Sequence, residues 1–524
     1  MKFEKIYHDK LQGSICGFDR IRFRGTILSV SNVTGIMKFL CGVKVLLMGF
    51  MLFVRKMTDG IMGGAQEQRP QDAPFVWLAK KEDKDALAKA ELAKRPSGHR
   101  GLICVFSTLE CCVSPSVFGN KESKKLELKY QHTKCRHLYF YFQHPTYGFG
   151  HIRLQTWFPF GVTICINGRH WLENQLRAAG IGYQKAENCF PWLEDVSAAQ
   201  HLLDQQLATE WPVMLNGLMD EYCPWLESVL SPLRPSYYWS AEETEVATDY
   251  MFKNSRDLDR LFPMFSRFAM MTSDCPTVMR FFSQKTGHQG GFKAPAEVGG
   301  DCRKRHEGVR VKHRYGSNSV KMYNKQGNIL RVETTINNTR ELKVYRQPDD
   351  DQRREFKWLP MRKGVADLNR RFEVSAKVNE RYADHIAATE TDERLGEVWD
   401  SICNRTTFRS SNSASPVKVR GLRPGEKDDM QLLAFLGKGD WNIVGFRNQD
   451  LVDFLDTKPA KTDKEKKRRS AKATRQIRML RAHGLVQKIK GENRYRVTEK
   501  GMKTCSAILT AKNVPVQKLV EQAA

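Results

Sequence analysis

Three short segments between Val309 and Ile336 alternate between apolar and polar residues, and this pattern is the strongest constraint on the fold of the chain. The segments read VRVKHRY, VKMYNK and ILRVETTI, and turns at Gly316 and Gly327 separate them. A period of two predicts β-strands that bury one face, and short glycine turns predict antiparallel neighbours. The region therefore predicts a β-meander within a larger sheet.

The alternation divides the meander into an apolar set and a charged set. The apolar set is predicted to face inward and consists of Val309, Val311, Val320, Met322, Leu330, Val332, Thr334 and Ile336. The other set is predicted to face outward and consists of Arg310, Lys312, Arg314, Lys321, Tyr323, Lys325, Arg331 and Glu333. We expect a basic sheet face that surrounds one tyrosine and one carboxylate.

Positive charge is concentrated in two parts of the chain. Of the net charge of +26, residues 417–524 contribute +13, with 25 Lys and Arg against 12 Asp and Glu. Residues 301–347 contribute a further +8. Clustered cations are typical of proteins that bind a polyanion, because each neutralised phosphate releases condensed counterions. Nucleic acid is the predicted partner.

The length of 524 residues predicts about three domains. Composition shifts predict a strand–helix module at 1–59, a charged linker or arm at 60–98, and a central domain at 99–403 whose basic face lies at 301–347. A Ser-, Asn- and Arg-rich linker is predicted at 404–425, and a C-terminal domain at 426–524.

The central domain is predicted to be α+β, with an antiparallel sheet followed by helices. Runs rich in β-branched and aromatic residues predict strands at 101–108, 125–130, 137–142, 151–158 and 162–167. Helical periodicity follows at 169–179, 196–207 and 211–221, and again over 364–389. We also interpret residues 240–285 as largely helical.

The C-terminal domain is predicted to be a winged helix-turn-helix. Helices are expected at Asp428–Leu436, from Asn448 onward, and at Lys467–His483, followed by strands at Leu485–Ile489 and Arg494–Val497. This order predicts a recognition helix for the major groove of duplex DNA and a wing that contacts the backbone.

The third helix has one cationic flank and one apolar flank. The cationic flank and the wing give the predicted nucleic-acid contacts Arg468, Lys472, Arg475, Arg478, Lys490 and Arg494. The apolar flank gathers Ala473, Ile477 and Leu480, which we expect to dock on the domain core. The alternative is a solvated charged helix in a protein-interaction domain.

Tyr323 and Glu333 are the candidate catalytic residues. Neighbouring cations stabilise a phenolate and a pentacovalent phosphate, so Tyr323 is a candidate nucleophile for strand transfer. Glu333 is a candidate ligand for a divalent metal such as magnesium, or a base. The alternative is ordinary cross-strand ion pairing. Asp19 with Glu333 or Asp367 would suit a two-metal nuclease site, but nothing in the sequence brings these carboxylates together.

Two short motifs resemble the strand pair of rolling-circle replication initiators and related mobile-element proteins. They are K-x-Y-x-K at Lys321–Lys325 and R-x-E at Arg331–Glu333. The segments GFDRIRFRGT, LQTWFPFGVTICINGRHWL and KMYNKQGNILRVETTINN are similar to long uncharacterised bacterial proteins of the mobile-element type. The resemblance of these long segments implies no activity, and the His-hydrophobic-His motif with which the initiators bind their divalent ion is absent from the sequence.

The predicted location is the cytoplasm. The 13 cysteines form no C-x-x-C pair, which is typical of reduced thiols, and charged residues interrupt the first thirty positions where a leader would be apolar. The apolar run from Ile36 to Val54 contains Lys38 and Lys44, so we interpret it as a buried or partner-packed helix and expect no membrane partner.

Together these features predict a DNA-binding protein of the mobile-element type; if it is an enzyme, the predicted reaction is cleavage or transfer of phosphodiester strands in DNA. Two alternatives stay open at this point: a regulator that binds DNA without catalysis, and a protein that binds or processes RNA. DNA is favoured over RNA because a winged helix is predicted.

Overall fold

The computed structural model describes residues 2–79, 81–233, 235–284, 298–305, 308–348, 355–387, 395–408, 416–438, 441, 445–456, 458–489 and 491–513. The chain divides into two compact units, each built from separate stretches. The first unit comprises Met1–Gly13, Tyr250–Val332 and Lys377–Ala524, and the second comprises Ser14–Asp249 and Glu333–Ala376. The predicted domain boundaries at residues 59, 98, 403 and 425 stay predictions.

Nineteen strands lie within the described residues. In chain order they are β1 (Leu11–Ile27), β2 (Phe75–Leu78), β3 (Gly101–Asn120), β4 (Lys125–His144), β5 (Gly148–Gln155), β6 (Val162–Asn167), β7 (Tyr183–Ala186), β8 (Cys189–Leu193), β9 (Tyr237–Phe252), β10 (Gly299–Arg305), β11 (Gly308–Tyr315), β12 (Asn318–Lys325), β13 (Ile329–Ile336), β14 (Lys343–Arg346), β15 (Lys357–Pro360), β16 (Thr406–Phe408), β17 (Val417–Val419), β18 (Val486–Lys488) and β19 (Tyr495–Val497).

Sixteen α-helices lie within the same residues. They are α1 (Lys2–Ile6), α2 (Val33–Gly42), α3 (Phe50–Glu67), α4 (Lys84–Ala93), α5 (Gly168–Ala178), α6 (Val196–Gln206), α7 (Trp211–Tyr222), α8 (Leu226–Val229), α9 (Ser255–Thr272), α10 (Cys275–Phe281), α11 (Leu368–Ile386), α12 (Leu395–Cys403), α13 (Lys427–Leu436), α14 (Asn448–Leu455), α15 (Asp463–Ala482) and α16 (Glu499–Asn513).

Eleven strands form one sheet in the order β10-β11-β12-β13-β9-β1-β6-β5-β4-β3-β2. The predicted α+β class is confirmed, but the prediction of a purely antiparallel sheet is wrong at one edge. There β2 pairs parallel with β3, with Phe75 opposite Val105. A parallel pair needs a crossover, and α4 lies between the two strands in the chain. The sheet is therefore mixed.

The prediction that residues 240–285 are largely helical is wrong for their first third. Residues Tyr237–Phe252 form β9, and the helix begins only at Ser255. The segment WSAEETEVATDY contains good helix formers, but β9 lies between β13 and β1 near the middle of the sheet. Hydrogen bonding on both edges and burial outweigh local helix propensity there.

The core of the second unit contains many aromatic side chains. The Phe23 ring lies 5.3 Å from that of Trp211 on α7, and Phe142 stacks on Tyr222 with centroids 4.5 Å apart. Helix α3 contributes Val54, which is fully buried in the same core. This packing covers one face of the strands that carry the candidate site.

Helices α2 and α3 contain the apolar run that the sequence places at residues 36–54. Within the described residues, no single helix has both the length and the apolar character that a membrane crossing requires. The pair Val33–Gly42 and Leu47–Glu67 meets those two criteria jointly, but it is bent by 97°.

The C-terminal region of the first unit contains the predicted order of three helices and a hairpin. Helices α13, α14 and α15 are followed by β18 and β19, which pair with Val486 opposite Val497. An additional helix, α16, buries Cys505 and Ile508 in the same core. The assignment of this region to the winged helix-turn-helix class stays a prediction.

A fully buried ion pair joins α5 to β9 in the second unit. The Nη2 atom of Arg169 lies 3.1 Å from Oδ2 of Asp249, and both side chains have no solvent exposure. The same Nη2 donates a hydrogen bond of 2.9 Å to the carbonyl oxygen of Ala247. Removing one partner from such a pair leaves an uncompensated charge in a medium of low dielectric.

We therefore predict that Arg169→Met lowers the free energy of unfolding by about 3–5 kcal/mol. The double variant Arg169→Met/Asp249→Leu should recover part of this loss, because it leaves neither charge buried alone. Urea unfolding followed by circular dichroism measures both values. Lys94→Ala, which removes an exposed ion pair with Glu91, is the control and should change stability by less than about 1 kcal/mol. Equal stability of Arg169→Met and Lys94→Ala would contradict the prediction.

Candidate metal centre and nucleic-acid surfaces

Three carboxylates from three neighbouring strands converge in the second unit. Asp19 lies on β1, Glu245 on β9 and Glu333 on β13, and one oxygen of each lies within 4.8 Å of the others. Asp19 is 4% exposed and Glu333 2%, whereas the side chain of Glu245 is 12% exposed. We call these three residues the acidic cluster.

An interruption of the strand pattern in β1 directs Asp19 into the cluster. Phe18 and Phe23 both contact the ring of Trp211, at 6.3 and 5.3 Å. Residues five positions apart face opposite sides of a regular strand, so the alternation is broken between them. Asp19 and Arg20 are adjacent in sequence, yet both reach Glu245.

A residue of the β7–β8 hairpin donates hydrogen bonds to the Asp19 carboxylate. Asn188 lies in the turn between β7 and β8, and its Nδ2 atom donates to Oδ1 and Oδ2 of Asp19 at 2.9 and 2.8 Å. These bonds fix the orientation of the carboxylate. An amide side chain also contains an oxygen of the kind that binds hard divalent cations.

Arg20 forms ion pairs with Glu245 of the acidic cluster and with the neighbouring Glu243. Its Nε atom lies 3.3 Å from Glu245, and its Nη2 atom lies 2.8 Å from Glu243. Burial opposes the charge of this guanidinium, but the carboxylates of Glu245 and Glu243 outweigh that effect and raise the pKa of Arg20. The Arg20 side chain itself is 47% exposed.

The chemistry of the acidic cluster suits a divalent cation. Two carboxylates about 5 Å apart repel by on the order of 3 kcal/mol at an effective dielectric constant of about 20. A bound cation would convert this repulsion into attraction, and carboxylate oxygens are the preferred ligands of Mg²⁺ and Mn²⁺. The acidic cluster can therefore bind a metal that activates water or polarises a phosphoryl oxygen.

The first unit presents a cationic sheet face, which we call the basic face. Pairing across β10, β11 and β12 aligns Arg303, Arg310 and Tyr323 in one row, and Asp301, Lys312 and Lys321 in the next. The side chains of alternate residues share a face, so Arg314 lies on this face as well. The structure therefore brings together five of the predicted outward residues, and β10, which the sequence did not predict, adds Arg303.

Electrostatic interactions on the basic face show an excess of positive charge. Asp301 lies 2.9 Å from Arg310 and 3.3 Å from Arg314. Burial, with added repulsion from Lys321, Arg314 and Arg310, lowers the pKa of the Lys312 amine. A phosphate bound here would relieve that repulsion.

Three predicted site residues do not face solvent as their alternation predicts. Lys325 is 6% exposed, Arg331 is fully buried and Glu333 is 2% exposed. Every residue of β13 is buried, because this strand lies inside the sheet between β12 and β9 and both of its faces are covered. Arg331 therefore has no surface with which to contact a phosphate backbone in this conformation.

Helix α15 has the predicted two faces. Ala473, Ile477 and Leu480 are buried in the core of the C-terminal region. The predicted cationic flank is exposed and consists of Arg468, Lys472, Arg475 and Arg478. The other two predicted contacts belong to the wing. Arg494 is partly exposed and lies 3.7 Å from Glu492, and Lys490 lies outside the described residues.

Sequence reasoning missed Glu245 and Asn188. Glu245 was hidden by the helical interpretation of β9, although Thr244, Val246 and Thr248 give a period of two that a strand prediction would have used. Asn188 carried no signal beyond the turn pair Glu187-Asn188. Asp367 is not part of the acidic cluster, since its carboxylate pairs with Arg370 at 2.6 Å.

Comparisons of the chain with protein-family models, with curated proteins and with solved structures find no match. The resemblance to replication initiators and mobile-element proteins therefore stays a prediction.

We predict that the acidic cluster binds Mn²⁺ or Mg²⁺ and that Asp19→Asn and Glu333→Gln each weaken this binding at least tenfold, which corresponds to about 1.4 kcal/mol. Isothermal titration calorimetry on chelator-treated protein measures the affinity. Asp367→Asn is the matched control, because Asp367 is also a buried acid of the second unit but lies outside the cluster. Equal affinity in all four proteins would show that the cation binds elsewhere.

Proposed function

We propose that this protein binds DNA and uses a divalent cation, held by the acidic cluster, to cleave or transfer phosphodiester strands. The observation that carries the proposal is the convergence of Asp19, Glu245 and Glu333 from three adjacent strands. The proposal extends to a protein of the mobile-element type, for which the short sequence motifs are the support.

The basic face and the cationic flank of α15 support nucleic acid as the substrate. On the basic face Arg303 and Arg314 are at least half exposed, whereas Arg310 is 13% exposed beside Asp301. The cationic flank of α15 is exposed, and both clusters lie in the first unit. Each phosphate that such a cluster neutralises releases counterions, so their combined effect is strong at low salt. A rigid cationic helix suits the backbone of duplex DNA, and the exposed sheet face with Tyr323 suits a single strand through stacking.

The residues of the acidic cluster have separate tasks in this mechanism. Asp19, oriented by Asn188, and Glu333 are buried and would be fixed ligands of the cation. Glu245 is more exposed and would be the ligand nearest to solvent and substrate. Arg20, which is half exposed beside Glu245, would neutralise charge that develops on the phosphoryl oxygens.

A regulator that binds DNA without catalysis is the second candidate. The ion pair between Arg20 and Glu245 favours it, because a carboxylate that is already compensated by a guanidinium needs a cation less. In that case Arg20 offsets part of the charge of the acidic cluster, the cluster has no catalytic role, and the two cationic surfaces account for the DNA binding.

We predict Mg²⁺- or Mn²⁺-dependent cleavage or strand transfer that Glu333→Gln and Asp19→Asn reduce at least about 100-fold, because each removes a ligand charge from the metal. Gel assays at one salt concentration on labelled single-stranded DNA, duplex DNA and structured RNA measure the activity and the preferred substrate. Tyr323→Phe is a further variant: lost cleavage with retained binding would assign the nucleophile to Tyr323, and full activity would assign it to water.

The matched control for catalysis is again Asp367→Asn, which should cleave at the rate of the unmodified protein if it folds normally. Absence of metal-dependent cleavage on every substrate, with intact salt-sensitive binding, would favour the non-catalytic regulator. Cleavage that survives both Asp19→Asn and Glu333→Gln would contradict the assignment of the acidic cluster as the active site.

We predict that the triple variant Arg468→Gln/Arg475→Gln/Arg478→Gln weakens binding to duplex DNA uniformly across sequences. The slope of log affinity against log salt concentration should fall by up to about 2.7, or about 0.9 for each lost phosphate contact. Fluorescence anisotropy over a salt series measures the affinity and the slope.

The control for this prediction is Lys121→Gln/Lys124→Gln/Lys125→Gln, which removes the same charge from the exposed turn between β3 and β4 and from the first residue of β4. If the control lowers the slope as much as the variant in α15, the binding reflects net charge and the assignment to α15 is wrong.

A further inference from the structure

An exposed apolar surface lies where α2 meets α3 in the second unit. Leu46 is 77% exposed, Met48 84%, Met51 43% and Leu52 74%. We call these four residues the apolar tip. Such a contiguous group of large, exposed apolar side chains is rare on a soluble surface and marks a site of interaction.

The apolar tip is held in place by a well-packed base. On the same two helices, Ile36, Phe50 and Val54 are fully buried in the core of the second unit. The tip therefore projects from a segment that is anchored, and its exposure does not reflect poor packing of the whole hairpin. One face of these two helices therefore packs in the core, and the other face is exposed to solvent.

The backbone between the helices is a defined turn. Lys44 adopts a left-handed conformation with φ of 56°, and the N–H of Val45 donates to the carbonyl oxygen of Leu40 at 2.8 Å. This arrangement ends α2, and a short 3-10 helix at Leu47–Gly49 then leads into α3. A left-handed backbone conformation is unfavourable for lysine, so the turn that precedes Leu46 and Met48 carries a small conformational strain at Lys44.

The charges around the apolar tip have one sign. Lys38, Lys44, Arg55 and Lys56 are all exposed, and no Asp or Glu occurs between Leu28 and Thr58. Apolar side chains flanked by Lys and Arg are typical of segments that lie in the interface of an anionic bilayer. A second copy of the chain would place like charges against each other, and that arrangement is unfavourable.

We propose that the apolar tip inserts into the interfacial region of an anionic lipid bilayer, with Lys38, Lys44, Arg55 and Lys56 contacting lipid headgroups. A charged apolar run that does not cross a bilayer can still lie in its surface, so the proposal differs from a transmembrane span. It also differs from the sequence-based expectation of no membrane partner. Strands β1 and β9 of the same unit carry two members of the acidic cluster, so docking would bring the proposed nuclease unit to a membrane surface.

The experiment is co-sedimentation of the full-length protein with vesicles of phosphatidylcholine, with and without phosphatidylglycerol. Leu46→Ser/Met48→Ser/Leu52→Ser leaves the charge unchanged and should weaken partitioning at least about 100-fold, because three apolar side chains lose their transfer to the lipid. The unmodified protein should prefer the vesicles that contain phosphatidylglycerol. It should retain binding at about 1 M NaCl. Attraction between charges is then screened, because the Debye length falls to about 3 Å, but the burial of apolar side chains in the lipid is not screened.

The matched control is Leu109→Ser/Val213→Ser/Met271→Ser, which replaces three exposed apolar residues elsewhere and should bind as the unmodified protein does. Binding that disappears at high salt and is equal in both triple variants would reflect general attraction of a basic protein to lipid and would overturn the proposal. Absence of binding to either kind of vesicle would overturn it as well, and a protein partner would then be the occupant to seek. Circular dichroism of both variants verifies that each is folded.

Discussion

Hydrogen bonding of β9 between its two neighbours is the constraint on which the described architecture depends. The segment has residues that favour a helix locally, and only pairing over large sequence separations makes it a strand. With β9 in place, Glu245 lies between Asp19 and Glu333, and Asp249 reaches Arg169. Without it, neither the acidic cluster nor the buried ion pair would exist.

The electrostatic organisation of the chain separates two kinds of charge. The acidic cluster is enclosed and small, whereas the basic face and α15 present many cations to solvent. An enclosed group of carboxylates is suited to a compact cation, and an extended cationic surface is suited to a polyanion. This division supports the proposed metal-dependent chemistry on a phosphate backbone, in which the substrate is attracted while the metal ligands stay negative.

The sequence predicted those parts of the fold that local pattern determines. The meander of β11, β12 and β13, the two faces of α15 and the order of the C-terminal elements all follow from periodicity within short windows. Alternation also assigned Arg310, Lys312 and Tyr323 correctly to one face. It failed for Arg331, because alternation cannot distinguish a strand with one buried face from a strand buried on both.

The candidate site itself was largely beyond prediction from the sequence. Asp19 and Glu333 are 314 positions apart in the sequence. Their proximity depends on β9, which lies between β1 and β13, and no local sequence pattern predicts that β9 pairs with these two strands. The break in alternation near Asp19 was equally hidden, because GFDRIRFRG reads as an ordinary amphipathic strand. Contacts of this kind follow from topology, and one sequence contains little information about topology.

The buried pair of Arg169 and Asp249 has a consequence for the fidelity of assembly. A slip of β9 by one residue against its neighbours would turn Asp249 to the opposite side of the sheet, leaving Arg169 charged and alone in an apolar interior. The uncompensated charge would add about 3–5 kcal/mol to the cost of the slipped arrangement. The Arg169–Asp249 pair therefore disfavours misalignment of the strand that carries Glu245.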